Sequence, residues 1–439
     1  MSTITKRLPL AVAISAVATT TLAGGFDNSG QPFDIILGSG NEISIMTYST
    51  TAEVTGTANS DTVSTYSATA YSAYNTSDSS VNDVATDYMS AEIGGRLAFS
   101  DSLSCAFETD EPYKTNTHID DDSLSYFGNG ISNSAAEDSE DTAIDTKVSS
   151  VAWTVGCGYG LHMGSGKLTF FAGPKFQSIH GYFSADMMND YASAYLTALY
   201  GSAYASLGTG DYDNLAYDMG TKYETGYVAG VGYEIEEIAL KIGLFYHSAI
   251  DYTLKGTVTA GEGIQTLQGY AASETVKADL TTPQAVNLTM QSGVYPGWLV
   301  FGNLRWTEWS TLDSLNVTST SGDYDVELGL FSNDTLDYTL GVGHQFTDKF
   351  VMVASYAGGT DLGSTDLEDG VDSDSLRQPR GDYYTLATGG RYSFTDNFSV
   401  TAGLGYTYLS EATVDNNSYT VVFDQTEAWT YALGMNVTF

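Results

Sequence analysis

Few residues in this chain can do chemistry on a partner, and the cations are the informative ones. Against 54 acidic residues stand only 16 Lys and Arg. Arg96, Lys175, Lys241, Arg305 and Arg391 all lie in stretches where large apolar side chains alternate with small or polar ones. Each falls on the row opposite the large apolar side chains. A cation held in such a row gives the interior a positive set within a very acidic chain, and it can pair with a carboxylate of its own wall. For Lys175, Glu224 and Glu234 are the wall candidates. The histidines His118, His162, His180, His247 and His344 sit in unlike contexts, with no G-x-S-x-G nucleophile signature, so nothing points to an enzyme. No metal-ligand spacing and no CxxC appears, and no cofactor is implied. Cys105 and Cys157 fall on apolar rows of neighbouring stretches. Alternation gives their faces but not their relative height, so a disulfide and two separate thiols both stay open.

The formal charge of −38 repels nucleic acid. Most acids cluster in loop-like segments, among them Asp120-Asp121-Asp122, residues 137–145 and residues 361–374. Solvated outer loops account for these. Divalent-ion bridging to lipopolysaccharide phosphates is the functional alternative, but the spacing matches no calcium loop.

The elements that position these side chains are legible from the end of the chain. Trp429, Tyr431, Leu433, Met435, Val437 and Phe439 alternate with Thr430, Ala432, Gly434, Asn436 and Thr438. A period of two marks a strand with one apolar face. The closing aromatic resembles the terminal residue of bacterial outer-membrane barrels, which the barrel-assembly machinery reads. At the other end, Lys6 and Arg7 precede an apolar run from Leu8 to Ala18 and the small-residue site Thr21-Leu22-Ala23. Residues 1–23 are expected to be a secretory signal peptide, too short to span a bilayer. Beyond it no run reaches the length of a membrane helix, although 42% of the chain is hydrophobic and 13% aromatic. Only a closed barrel satisfies every backbone group in lipid without helices.

Turns and alternation delimit fourteen strands: 42–54, 88–99, 103–108, 148–161, 167–179, 223–235, 238–248, 286–294, 298–309, 336–346, 350–357, 383–394, 398–409 and 429–439. Six short turns alternate with seven long loops. The expected fold is all-β: a 14-stranded antiparallel transmembrane β-barrel over residues 42–439. Two segments do not read as plain strands. Residues 24–41 are rich in Gly, Asn, Ser and Pro and are expected to fold inside the barrel as a plug. Residues 186–204 place Met187, Met188, Tyr191, Tyr195 and Leu199 at mixed three- and four-residue spacing, which predicts a short amphipathic helix in an outer loop.

Several motifs resemble one family, the FadL/TodX-type outer-membrane transporters of long-chain fatty acids and other hydrophobic compounds. They are Thr282-Pro283-Gln284-Ala285-Val286, Tyr295-Pro296-Gly297-Trp298 and Trp306-Thr307-Glu308-Trp309-Ser310. Asp337-Tyr338-Thr339-Leu340-Gly341-Val342-Gly343 and Thr395-Asp396-Asn397 add to them. The resemblance implies a fourteen-stranded barrel with an N-terminal hatch. Well-known members carry Asn-Pro-Ala in that hatch, and Gly24 to Pro32 here lacks it.

The resemblance further implies a ligand groove between outer loops, here using Met187, Met188, Tyr191, Tyr195 and Leu199 with residues 251–281. It implies a lumen cation for a ligand carboxylate, for which Lys175 is best placed, followed by Arg305 and Arg391. It also implies a lateral exit near the third strand, where Pro112 cannot donate to a ladder. The expected function is passive transport of a fatty acid or hydrocarbon across the outer membrane of a Gram-negative bacterium. A general diffusion porin is the alternative. Expected partners are the hydrophobic ligand, outer-membrane lipid and lipopolysaccharide, and the barrel-assembly machinery through Phe439.

Overall fold

The computed structural model describes residues 29–59, 79–81, 83–85, 87–120, 143–186, 214–262, 265, 269–329, 333–361, 382–416 and 419–439. Fourteen strands form the wall: β1 (Glu42–Ala52), β2 (Tyr88–Ala98), β3 (Leu103–Asp110), β4 (Ala152–Met163), β5 (Gly166–Asp186), β6 (Lys222–Ile235) and β7 (Leu240–His247). The second half comprises β8 (Ala285–Tyr295), β9 (Trp298–Thr307), β10 (Thr335–Thr347), β11 (Phe350–Asp361), β12 (Tyr383–Ser393), β13 (Phe398–Leu409) and β14 (Thr426–Thr438). Each pairs antiparallel with the next, and β1 closes on β14 from Glu42↔Thr438 to Ala52↔Ala428. The fourteen strands expected from alternation are the fourteen of the barrel.

Alternation sets the faces. On β14 the outward row Trp429, Tyr431, Leu433, Met435 and Val437 is exposed, and the inward row from Thr426 to Asn436 is buried. The outward row can meet lipid because it carries no charge, whose cost there is about 2–4 kcal/mol at the midplane. Aromatic girdles mark both edges of this belt. Toward the long loops, Tyr338, Tyr356, Tyr384 and Tyr408 run side by side across four strands. Toward the short turns, Phe346 meets Phe350 and Phe394 meets Phe398.

Several stretches expected to be loops are strands. Beyond the barrel rim, Lys114–Asp120, Ala143–Ser149, Asn214–Asp218, Ile250–Ala260, Ser273–Thr282, Ser314–Ser319 and Val326–Gly329 extend the wall, joined through the long upper end of β5. Their buried row includes Tyr252, Leu254 and Val258, facing Val276, Ala278 and Val317. The intervening Thr, Lys and Asp residues make these segments look polar on average, although their alternation is the same as that of the barrel strands. The strand expected to reach residue 309 ends at Thr307, and Trp309 begins a one-turn 3-10 helix, Trp309–Leu312. The amphipathic helix expected within residues 186–204 lies outside the described residues from 187 onward.

Among the described residues the β6–β7 ladder ends at Val228↔His247, leaving residues 222–227 of β6 without a β7 partner, and the β2–β3 seam also stops short. β2 pairs with β1 over nine positions, from Tyr88↔Thr50 to Arg96↔Glu42. On its other side it pairs with β3 over only six, from Ile93↔Thr109 to Ala98↔Ser104. Residues 88–92 of β2 have no strand partner on that side among the described residues. The chain leaves β3 at Asp110, and Pro112, buried and without an N–H, turns it away. Lys114 then reaches back, its Nζ donating to Met89 O at 2.6 Å and to Glu111 Oε2 at 2.8 Å. From Tyr88 to Glu92 the unpaired edge is about 13 Å long at the usual rise per residue. β3 is held on its far side by a full ladder to β4 and by a disulfide between the facing residues Cys105 and Cys157.

Candidate functional site: a plugged lumen beside a short seam

The described part of the plug, residues 29–41, runs through the barrel interior. Phe33 and the one-turn 3-10 helix Asp34–Leu37 bring four apolar side chains inward. Phe33, Ile35, Ile36 and Leu37 are all buried, against Ala106, Phe171, Val228 and Phe245 of the wall. Phe33 lies 6.2 Å from Phe171, which lies 5.0 Å from Phe245, centroid to centroid. The wall makes room with glycine. A Cβ on Gly232 would sit 2.4 Å from Leu37 Cδ2, and one on Gly243 2.9 Å from Leu37 Cδ1. Burial of this size is worth about 1.5–3 kcal/mol per large apolar side chain.

Polar contacts fix the rest of the plug, and they use the lumen cations. Arg96 Nε donates to Ile36 O at 3.2 Å, and its Nη1 donates to Gly40 O. Lys175 Nζ donates to Gln31 Oε1, and Gln31 Nε2 donates to Tyr113 Oη at 3.3 Å. Arg305 Nη1 donates to Gly30 O and to Asn287 Oδ1, the latter at 3.0 Å. Lys175 and Arg305 are therefore brought to adjacent plug residues. Arg391 is not; its Nε donates to Ser399 Oγ at 2.9 Å on the neighbouring strand.

The carboxylates expected beside Lys175 are used elsewhere. Glu224 pairs with Lys222 at 3.1 Å and Glu234 with Lys241 at 3.6 Å.

Three features were not singled out from the sequence. His247 sits at the inner face of β7 between Lys175 and Arg305, 2% exposed, with neither ring nitrogen on a protein partner among the described residues. Its lumen parity was readable, its neighbours were not. Two strands along the wall from Lys175, in the register Glu108↔Thr154↔Lys175, the acids Glu92, Glu108 and Asp110 line the inner end of the β2–β3 seam. Glu92 Oε2 accepts from Tyr48 Oη at 3.1 Å, and Asp110 Oδ2 accepts from Ser29 Oγ at 2.6 Å. Glu108 faces Gly94 across the ladder, and its Oε2 is buried without a hydrogen-bond partner among the described residues. Below the plug, a cavity of about 1200 Å³ extends to the short-turn end. Glu92, Glu108, Arg305 and Arg391 line it along with the turn residues Glu236 and Asn397.

Pro112 lies two residues beyond the end of β3 and is buried. The expected groove residues Met187, Met188, Tyr191, Tyr195 and Leu199 lie outside the described residues.

A closed fourteen-stranded barrel with an apolar belt, two aromatic girdles and a chain segment packed in its lumen is an integral barrel of the Gram-negative outer membrane. The chain belongs to the outer membrane protein transport family (OMPP1/FadL/TodX), whose model matches residues 38–439. Among curated relatives, it is similar to the long-chain fatty acid transport protein of Escherichia coli strain K12. The two are 24% identical over 299 residues, covering 66% of this chain and 64% of that protein. The match thus spans less than two thirds of the relative's length.

Solved structures share the fold. A Pseudomonas aeruginosa FadL homologue superposes with a TM-score of 0.69 at 15% identity, covering 97% of this chain and 98% of that one. The toluene transporter TodX of P. putida gives 0.61 at 12% identity, covering 97% and 94%.

Proposed function

We propose that this barrel carries hydrophobic molecules passively across the outer membrane, with long-chain fatty acids among its ligands. The observation that carries this reading is the short β2–β3 seam, an unpaired edge within the wall beside the plug. An apolar molecule leaving the lumen there enters the hydrocarbon belt without crossing water. Each Å² of apolar surface removed from water contributes about 25 cal/mol, so no energy source is needed for capture.

In this reading the ligand is first held between the outer loops by Met187, Met188, Tyr191, Tyr195 and Leu199. A carboxylate head group then reaches Lys175, with Arg305 next to it, by displacing Gln31 and Gly30. Arg391 lies farther down the lumen and is a later contact. The molecule leaves past Pro112. Residues 1–23 act as a cleaved signal peptide, Phe439 is read by the assembly machinery, and the acidic outer loops face lipopolysaccharide.

The apolar packing of Phe33 to Leu37 across the lumen disfavours a general diffusion porin. Cysteines placed at Met89 and Lys114 and bridged by a short thiol-reactive linker test the proposal. Uptake of radiolabelled hexadecanoic acid by a host lacking its own family member is expected to stop on bridging and return on cleavage of the linker. Uptake unaffected by the bridge, or a large steady ion conductance from the purified barrel, overturns it.

A further inference from the structure

Two buried polar groups of the lumen wall go unanswered among the described residues. His247, on the inner face of β7, is 2% exposed, and neither Nδ1 nor Nε2 has a hydrogen-bond partner there. Thr307, at the end of β9, is 1% exposed, and its Oγ1 also lacks one. The register puts the two at one level. His247 faces Ala285 on β8, and Ala285 faces Thr307 on β9. Their backbones are therefore two strands apart, about 10 Å. Ala285 between them ends at its methyl, so at that level no longer side chain of β8 separates them.

The groups on either side are answered by the plug. Lys175 faces Gly226 on β6, one inward position from Val228, which faces His247. Arg305 is one inward position from Thr307 on β9. Lys175 Nζ donates to Gln31 Oε1, and Arg305 Nη1 and Asn287 Nδ2 donate to Gly30 O. Plug residues 30 and 31 thus give oxygens to the neighbours of His247 and none to the imidazole. Trp309, two residues beyond Thr307, is buried against Tyr113 and Leu312. A polar pair therefore lies beside two cations and an apolar cluster, an arrangement that suits a molecule with one oxygenated end and a hydrocarbon body.

A buried donor or acceptor left unpaired carries the full cost of its desolvation, so such a site rejects a ligand that cannot pair it. An imidazole carries at least one N–H donor in either protonation state, and a threonine hydroxyl both donates and accepts. An alcohol can accept from the His247 N–H and donate its O–H to Thr307 Oγ1. A carboxylate can accept from both, alongside Lys175 and Arg305. A bare hydrocarbon pairs neither. Resting on the reading of Lys175 as the head-group site, we infer that His247 and Thr307 form a hydrogen-bonding seat for a ligand oxygen, which selects acids and alcohols over hydrocarbons of the same length. The oxygen takes this seat when Gln31 and Gly30 are displaced.

Three radiolabelled probes of equal chain length test this: hexadecane, hexadecanol and hexadecanoic acid. Each is bound to the purified barrel in one detergent, and every variant is compared with the native barrel so that partition into micelles cancels. The double variant His247→Leu/Thr307→Val is expected to weaken hexadecanol about 10–100-fold while hexadecane holds or tightens. His247→Gln, which keeps a side-chain donor, is expected to retain most of the hexadecanol affinity. Heat-modifiable gel mobility shows which variants fold. If the double variant does not, Thr307→Val, which removes one hydroxyl, carries the test with a smaller loss expected. Unchanged hexadecanol affinity in a folded variant overturns the inference. Equal losses of hexadecanol and hexadecane overturn it too, because the two residues would then only pack the wall. Lys175→Met keeps the two claims apart. If it leaves hexadecanoic acid unchanged while the double variant weakens hexadecanol, the lysine role alone is wrong; if it weakens the acid while the double variant leaves hexadecanol unchanged, only the His247–Thr307 seat is wrong.

Discussion

Replacing Phe33 by Ala should free the plug without loosening the barrel. Phe33 is 1% exposed and stands in a contiguous apolar cluster with Phe171 and Phe245. Truncating a buried Phe to Ala costs about 3–5 kcal/mol, from lost transfer energy plus the cavity left behind. The plug backbone around it is held by few bonds: Ile36 N–H to Phe33 O at 3.2 Å and Gly38 N–H to Ile35 O at 3.0 Å. The plug is otherwise held by buried Ile35, Ile36 and Leu37, by the Arg96, Lys175 and Arg305 contacts, and by bonds from Ser29 to Asp110, Gln31 to Tyr113, Asn287 to Gly30 O and Thr289 to Asp34. None of these belongs to the barrel ladders, so most of the cost should fall on local opening. At about 1.4 kcal/mol per factor of ten, the opening equilibrium rises roughly 10²–10³-fold. Amide hydrogen exchange reads this directly. The Ile36 and Gly38 amides should exchange faster by that factor, while amides in the β9–β10 and β13–β14 ladders keep their protection. Unchanged exchange at Ile36 and Gly38 would refute the reasoning, because the polar contacts alone would then hold the plug. Loss of protection spread through the barrel ladders would refute it differently, by making the plug part of the barrel's own core.

Two further outcomes follow from the same geometry. Lys175→Met removes a charged donor at near-constant volume; a hydrogen bond to a charged group is worth about 1.5–3 kcal/mol, so affinity for hexadecanoic acid in detergent should fall roughly 10–100-fold while hexadecanol binding stays level. Equal losses for both probes would make Lys175 a structural lysine. The Cys105–Cys157 disulfide joins residues 52 apart in sequence; intact mass should rise by two hydrogens on reduction, and Cys105→Ser with Cys157→Ser should lower the unfolding midpoint, with about 4 kcal/mol as the chain-entropy ceiling. No mass change would show that the thiols are free.

The barrel was legible because its signal is local. Residues 429–439 alternate without interruption, and turns such as Thr395-Asp396-Asn397 punctuate the strands, so both strand number and inward parity follow from sequence. The inward placement of Arg96, Lys175, Lys241, Arg305 and Arg391 follows from that parity. Their partners do not, because a partner depends on the register between strands and on where the plug lies. Gln31 is 144 residues from Lys175, and no local pattern joins them. The grouping of Glu92, Glu108 and Asp110 was hidden for the same reason: Glu92 and Glu108 are each unremarkable inward residues until the Gly94↔Glu108 register sets them side by side. The outer extension was missed on composition, since Thr253, Lys255, Thr257 and Thr259 mask the alternating Tyr252, Leu254 and Val258. Pro112 was the exception, a residue whose chemistry alone marks the end of a ladder.

The most direct measurement of the central claim is the path of a ligand in transit. A long-chain fatty acid carrying a photoreactive group at its tail end, loaded onto the native barrel and flashed during uptake, should label residues beside the seam, chiefly Met89, Ile93 and Thr109. Labelling concentrated instead on the short-turn mouth of the lumen, at Glu236 and Asn397, would mean that the molecule runs straight through the barrel, and the lateral account would be wrong.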